Sequence, residues 1–395
     1  MKKERNTSFV KKMIIGVIVI VSLVAITVIC INAGNSKEQT GNQENVQEST
    51  VEEIVPEVEE NNDEDAAVSE EDRIAEYLSR DLTINEEKLG ITLESREAFV
   101  VTYGIEEYEI GLYIAPKMMF YNEGNQGNVS ETDTDLYKDD YQIETIEIES
   151  TKEDGYVIPA DYVTNGDYGR DTVIMIHGAG ENRRTHYQQT RMFLDMGYNV
   201  LQYDQRTCGD SKASYCSYGF LEQYDLYDCI RYVHNKAGEE IRIAVFGSSQ
   251  GGTTVIQALN NSEISEDIDV AILDCPMISQ LDFLIPGIET ECPEKYQDIA
   301  LDSFYDFMEY FFLFDRNRYQ YEELAKGIDT PILMFVSEAD EILNVNVQKD
   351  FYETLQNDNK YLFVSDSAKH CCIVEDHEAE YENLTQRALT GELFD

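Results

Sequence analysis

A serine set among glycines, at Gly247-Ser248-Ser249-Gln250-Gly251, is the first place in this chain to look for chemistry. A serine hydroxyl is a weak nucleophile near neutral pH, so acyl transfer at Ser249 requires a base and a group to orient that base. The pentapeptide follows the apolar run IRIAVF (241–246) and precedes TTVIQALN (253–260). A strand turning sharply into a helix would lift the hydroxyl clear of the sheet. Gly247 and Gly251 carry no side chain to crowd such a turn, and Gly252 lets the helix close on the sheet. The helix N-terminus favours negative charge beside Ser249. A glycine- and serine-rich turn without chemistry has the same composition, so the partner residues decide.

The chain has five histidines. His370 follows the last apolar run, KYLFVSD (360–366), after a short loop and is the expected base. His377 is its competitor but falls in EDHEAEYENLTQRAL (375–389), which reads as a final helix. His186 begins a helix, His234 lies near a helix end, and His177 is expected to support its own loop. The orienting acid is expected after PILMFVSE (331–338), at Asp340, with Glu338 the alternative on the same loop and Asp274 structural. Serine, aspartate and histidine then fall in one of the chain orders known for catalytic triads. His177-Gly178-Ala179-Gly180 ends the run TVIMIHG (172–178). Backbone N–H groups of Ala179 and Gln250 are the expected oxyanion donors, and such donors are each worth roughly 3–4 kcal/mol.

These residues need a sheet to bring them together. YQIETIEIE (141–149) alternates like a half-exposed strand, and 156–163 can pair with it across Asp154-Gly155. Continuous apolar runs at 172–178, 199–204, 241–247, 269–274, 331–338 and 360–366 read as strands buried on both faces. Helical stretches at 185–196 and 250–260 alternate with them, and Leu226, Ile230 and Val233 share one helix face. The pattern predicts an α/β fold, a mostly parallel sheet with helices on both faces. Functional groups in such sheets gather at the carboxyl ends of the strands. Between Asp274 and Pro331 lies an insertion, a cap at about 276–328. Its aromatic run SFYDFMEYFFLF (303–314) reads either as a wall for an acyl chain or as a helix packed as core.

Residues 141–395 resemble α/β hydrolases of the group that contains monoacylglycerol lipases, lysophospholipase-like esterases and serine aminopeptidase-like proteins. HGAGEN (177–182) is similar to their oxyanion loop, YDQRTCGDS (203–211) to their D-x-R-x-x-G-x-S segment, and GSSQGG (247–252) to their nucleophile turn. SYGFLEQYDL (217–226) more closely resembles membrane-anchored Gram-positive hydrolases. The resemblance implies an α/β-hydrolase fold and the same roles for Ser249, Asp340 and His370. Thr207-Cys208 in place of a glycine-rich pair, and Gln250 in place of a commoner Met, leave the substrate open. A small-molecule or lipid-like carboxylic ester is the expected substrate. A serine peptidase on the same fold is the alternative, and a non-catalytic surface protein on a hydrolase scaffold is the other.

No metal or organic cofactor is expected. Cys30 lies in an apolar run, and Cys208, Cys216, Cys229, Cys275, Cys292, Cys371 and Cys372 show neither a C-x-x-C pair nor zinc-ligand spacing with histidine. Most read as small buried hydrophobes.

The front of the chain has a different character. Residues 1–12 form a basic tail with Lys2, Lys3, Arg5, Lys11 and Lys12, and Met13 to Ile31 is one uncharged apolar run. A membrane span needs about 20 such residues. The flanking charge predicts a single-pass anchor with everything after Ile31 outside the cytoplasm. A cleaved signal peptide is the rival, although its apolar region is usually only about 7–15 residues. Residues 32–69 are acidic and poor in apolar side chains, the composition of a disordered tether. Ser69-Glu70-Glu71-Asp72 then resembles a capping box, opening an N-terminal extension at 70–140. The formal net charge of −48 argues against nucleic acid as a partner, because phosphates need basic neutralisation.

Overall fold

Eight runs pair into one sheet: β1 (Gln142–Glu149), β2 (Val157–Thr164), β3 (Thr172–Ile176), β4 (Asn199–Tyr203), β5 (Ile243–Ser248), β6 (Val270–Asp274), β7 (Ile332–Ser337) and β8 (Lys360–Ser365). Their order is β1-β2-β4-β3-β5-β6-β7-β8. The computed structural model describes residues 85–119, 134–291, 294 and 297–394. The apolar run at 13–31, the acidic segment at 32–69 and the capping box at Ser69 lie outside the described residues. Among the described residues, no helix is long and apolar enough to cross a membrane.

β1 pairs antiparallel with β2, and β2 antiparallel with β4, while every pair from β4 to β8 is parallel. Every residue of β3, β4, β5, β6 and β7 is buried, as continuous apolar runs predict for strands covered on both faces. β8 departs from that expectation. It is the edge strand, and Tyr361 and Val364 face outward, 37% and 38% exposed. Its apolar run is as continuous as the others, but among the described residues nothing pairs beyond it.

Strand order reverses around β3: the chain runs from β3 to β4 on one side and returns to β5 on the other. A crevice opens at the carboxyl ends of strands at such a reversal. Helices α3 (Tyr187–Asp195), α4 (Glu222–Ala237), α5 (Gln250–Leu259), α8 (Val345–Thr354) and α9 (Glu378–Thr390) connect or follow the strands. Their apolar faces join two clusters on the sheet. One holds Ile174, Leu226, Val245 and Ile256, the other Val173, Phe193, Phe246 and Tyr381.

The insertion after β6 contains α6 (Leu281–Glu291) and α7 (Gln297–Phe312), and two N-terminal helices lie against it. Helix α1 (Leu93–Thr102) starts with a capping box in which the side chains of Thr92 and Ser95 satisfy each other's backbone N–H groups. Helix α2 (Ile105–Met119) crosses α7 closely at Gly111. A β-carbon there would meet the Phe307 Cβ at 2.5 Å. Phe99, Tyr108, Phe304, Phe307 and Met308 are buried together. Ring pairs such as Phe99–Phe307 (6.0 Å) and Phe99–Phe311 (5.4 Å) tie α1 and α7 together. The aromatic run of 303–314 is therefore largely core, shared between the insertion and the N-terminal helices. At the far end of α2 the Met119 carbonyl accepts the Cys216 N–H at 3.0 Å, which fixes α2 to the loop before α4.

Candidate active site

Ser249 occupies the turn between β5 and α5 with φ 47° and ψ −118°, a backbone conformation that costs a side-chain-bearing residue on the order of 1–3 kcal/mol. Three bonds hold it there. Its N–H donates to Asp274 O at 3.0 Å, and its carbonyl accepts from Gly252 N and Met277 N, both at 2.9 Å. The glycines around it are sterically required. A β-carbon on Gly251 would lie 2.2 Å from Ile176 O, and one on Gly252 would lie 2.4 Å from Pro276 Cβ. A β-carbon on Gly178 would come within 3.2 Å of Ser249 Cβ, so the loop after β3 passes directly beside the serine.

Asp340 follows β7 and His370 follows β8. The His370 Nδ1 lies 2.7 Å from Asp340 Oδ2. The other carboxylate oxygen, Oδ1, accepts the N–H groups of Ile342 and Leu343 at 2.8 and 2.9 Å. The Asp340 side chain is wholly buried, while 16% of the His370 side chain is open to solvent. The turn holding His370 reaches the serine's own support: Cys371 Sγ donates to Asp274 O at 3.7 Å, the carbonyl that also accepts Ser249 N–H.

The alternatives on the same loops are engaged elsewhere. Glu338 is more than half exposed and pairs with Lys349 at 2.8 Å. His377 caps α9, and its Nε2 meets Ser365 Oγ at 2.9 Å. His234 Nδ1 donates to Gly238 O at 3.3 Å at the end of α4. His177 is buried, which pushes its imidazole down and keeps it neutral. Its Nδ1 donates to Gly178 O at 2.7 Å and its Nε2 accepts Gln205 N–H at 3.0 Å. That is loop support, as expected. Ala179 follows Gly178 in this loop, and Gln250 is the first residue of α5.

One network escaped the sequence reading. Glu181 accepts the Gly178 N–H at 2.7 Å and pairs with His186 Nε2 at 3.1 Å, and that nitrogen also lies 2.6 Å from Ser248 Oγ. The chain Gly178–Glu181–His186–Ser248 braces the loop after β3 against the residue preceding Ser249. Burial raises the Glu181 carboxyl, but His186 and the Gly178 N–H outweigh it and hold the acid down at about 2. Burial lowers the His186 imidazole, and the Glu181 charge overcomes that and holds it above the ordinary histidine value. The acid's contribution to stability is complete above the carboxylate range and is lost as pH falls toward about 2. The histidine's contribution is complete below 6.5, its ordinary value, and is lost as pH rises through its higher folded value. Melting temperatures of wild type and His186→Gln should therefore converge as pH rises from 6.5. Parallel pH profiles for the two proteins over that range would remove His186 from this role.

The YDQRTCGDS segment is a set of braces. Asp204 binds Arg183 through both its backbone N–H (2.7 Å) and its guanidinium, and also accepts Asp210 N–H at 2.8 Å. Gly209, at φ 54°, sits where a β-carbon would fall 2.2 Å from Asp204 Cγ. Gln205 Nε2 donates to His177 O at 2.5 Å. Arg206 is fully buried, paired with Asp225 at 2.7 and 3.1 Å and with Glu153 at 2.6 Å. The motif thus positions the loop after β3 and the start of α4, with no direct part in proton transfer.

A sheet of this order, with a strained serine after β5, an acid after β7 and a histidine after β8, is the α/β-hydrolase fold. The chain shares that fold with the α/β hydrolases. A family model described as serine aminopeptidase, S33, matches residues 169–293. The uncharacterized protein YqkD of Bacillus subtilis is 25% identical over 293 residues, covering 71% of this chain and 92% of YqkD. The uncharacterized protein YfhR of Escherichia coli K12 is 26% identical over 165 residues, 40% of this chain and 57% of YfhR. Among solved structures, the esterase Pf2001 of Pyrococcus furiosus aligns with a TM-score of 0.53 at 22% identity, covering 67% of this chain and 97% of that one.

Proposed function

We propose that this protein is a serine hydrolase that cleaves carboxylic esters through an acyl-enzyme. Ser249 attacks the acyl carbon, His370 takes its proton and returns it to the leaving alcohol, and Asp340 holds the imidazole in the required tautomer. Backbone N–H groups of Ala179 and Gln250 receive the developing oxyanion. Water then repeats the sequence on the acyl-enzyme. The observation that carries this reading is the 2.7 Å Asp340–His370 pair at the end of the sheet where Ser249 is held in its strained turn. The Pyrococcus protein with this fold is an esterase, which points the same way. The reading is tested by a fluorophosphonate probe, which should label the protein at Ser249, followed by a panel of acyl esters. An intact, folded protein that takes no label would sink it.

A peptidase is the second reading, favoured by the description of the family model as an aminopeptidase. Aminoacyl anilides beside matched esters discriminate the two, because the same triad serves both and only the pocket differs. Faster turnover of the anilides would replace the ester assignment.

We further propose that residues 13–31 anchor the protein in a membrane with residues 32–395 outside the cytoplasm. The support is the basic flank before an uncharged apolar run and the acidic chain after it. Protease added to intact cells should release the domain. Complete protection until lysis would overturn the topology. Because residues 32–69 are too polar to pack, a chain begun at about residue 70 should keep its fold and activity.

A further inference from the structure

Hydrolysis leaves two thiols beside His370 without a task. Cys275 follows β6, and Cys371 shares the turn after β8 with His370. One ligand atom from each of Cys275, His370 and Cys371 lies within 4.8 Å of the other two. Both cysteines are free thiols. Cys275 is wholly buried, whereas His370 and Cys371 are partly exposed, so the cluster has a side open to solvent.

Two carboxyl groups, Asp274 and Asp340, flank the cluster. Asp274, next to Cys275, is wholly buried; its Oδ2 accepts the Tyr381 hydroxyl at 2.8 Å, and its Oδ1 has no N–H or O–H donor. The Asp340 carboxylate is bonded to His370 Nδ1. The neighbouring imidazole, His186, is already paired with Glu181. Two thiols and an imidazole form a soft-to-borderline donor set, with the buried Asp274 carboxyl beside it.

We propose that Cys275, His370 and Cys371, gathered at the carboxyl ends of β6 and β8, bind a thiophilic divalent cation, Zn2+ in the first instance, and so switch the hydrolase off. The second half of this statement rests on the assignment of His370 as base. Zinc takes thiolates at about 2.3 Å and imidazole at about 2.0–2.1 Å, so three donors clustered this closely need only contract onto the ion, with water in the fourth position. Both S–H protons leave to solvent, and the two thiolates cancel the charge of the ion while the imidazole binds neutral. Nδ1 of His370 is held by Asp340, and Nε2 is assigned to the metal. A carboxylate on the other ring nitrogen is how ligating histidines are usually oriented. Nε2 is also the nitrogen that must receive the Ser249 proton, so an ion there and turnover are mutually exclusive.

The test uses the full chain, Zn2+ alone, and two readouts. Metal content after exhaustive dialysis should show one equivalent in the wild type, held at least an order of magnitude more weakly by Cys275→Ala and by Cys371→Ala. Fluorophosphonate labelling, normalised to each protein's own metal-free level, should fall with zinc at the wild-type binding midpoint and return with a chelator. Should either variant fail to fold, Co2+ added to the wild type reads the ligands directly through a thiolate-to-cobalt charge-transfer band. No retained equivalent, unchanged affinity in both cysteine variants, or a Cys275–Cys371 disulfide in the purified protein would each overturn the site. Stoichiometric zinc with no probe labelling at any metal level would instead refute the hydrolase assignment and leave the site standing. Labelling that ignores bound zinc would refute the switch.

Discussion

Ser249→Ala is expected to reduce turnover by several orders of magnitude, leaving at most the roughly 10³–10⁴-fold acceleration over water that binding and oxyanion donors supply without a nucleophile. His370→Ala should cost about as much, because a neutral Ser249 hydroxyl without its base is a poor nucleophile. The double variant should lose little beyond either single one, since the groups act as a unit. Neither change should unfold the protein. Ser249 is held by backbone bonds to Asp274, Gly252 and Met277, and alanine keeps all three. Turnover of an activated ester, with a thermal melt on each variant, makes the measurement. His377→Ala is the control for base assignment, because its ring is committed to Ser365. Loss of turnover in His377→Ala with retention in His370→Ala would reassign the base, and full activity in Ser249→Ala would end the serine-hydrolase reading.

The parts of this molecule that could be read from sequence are those governed by local pattern. The interior strands are continuous apolar runs because helices cover both of their faces, and their positions and parallel pairing follow. Ser249, Asp340 and His370 stand out in the sequence as candidates because each lies just past the end of such a run. What resisted reading depends on contacts between distant segments. KYLFVSD has the same apolar continuity as its neighbours, yet β8 is an edge, and an absent neighbour leaves no mark on a strand's own residues. The helices at 93–119 were illegible because their partner, α7, lies some two hundred residues further on, and Pro116 inside α2 breaks the expected pattern. The Glu181–His186–Ser248 brace joins the segment after β3 to the last residue of β5, and no spacing rule connects them. The same holds for Cys275 and Cys371. A search for short cysteine spacings finds no site, whereas the ends of β6 and β8, on either side of β7, bring the two thiols to one histidine.

Asp340→Asn should cost about 10⁴-fold in turnover, the scale seen when the equivalent change is made in other serine triads, while sparing the fold. The reason lies in how the carboxylate is shared. Its Oδ1 accepts two backbone N–H groups, from Ile342 and Leu343, and its Oδ2 faces His370 Nδ1. In an asparagine only one of the two terminal atoms is an acceptor. Two N–H donors on one side force the amide oxygen to remain there, which turns the amide NH2 toward Nδ1. Nδ1 must then accept, so the ring proton moves to Nε2, and Nε2 can no longer take a proton from Ser249. The loop keeps its anchor and the ring keeps its place, but the wrong tautomer is held. Asp340→Ala removes the anchor as well and should lower the melting temperature in addition to activity. Glu338→Gln, on the same loop but paired with Lys349 at the surface, should leave turnover nearly unchanged. If Asp340→Asn retains activity within an order of magnitude of wild type while Glu338→Gln does not, the orienting acid is Glu338, and the 2.7 Å contact is structural.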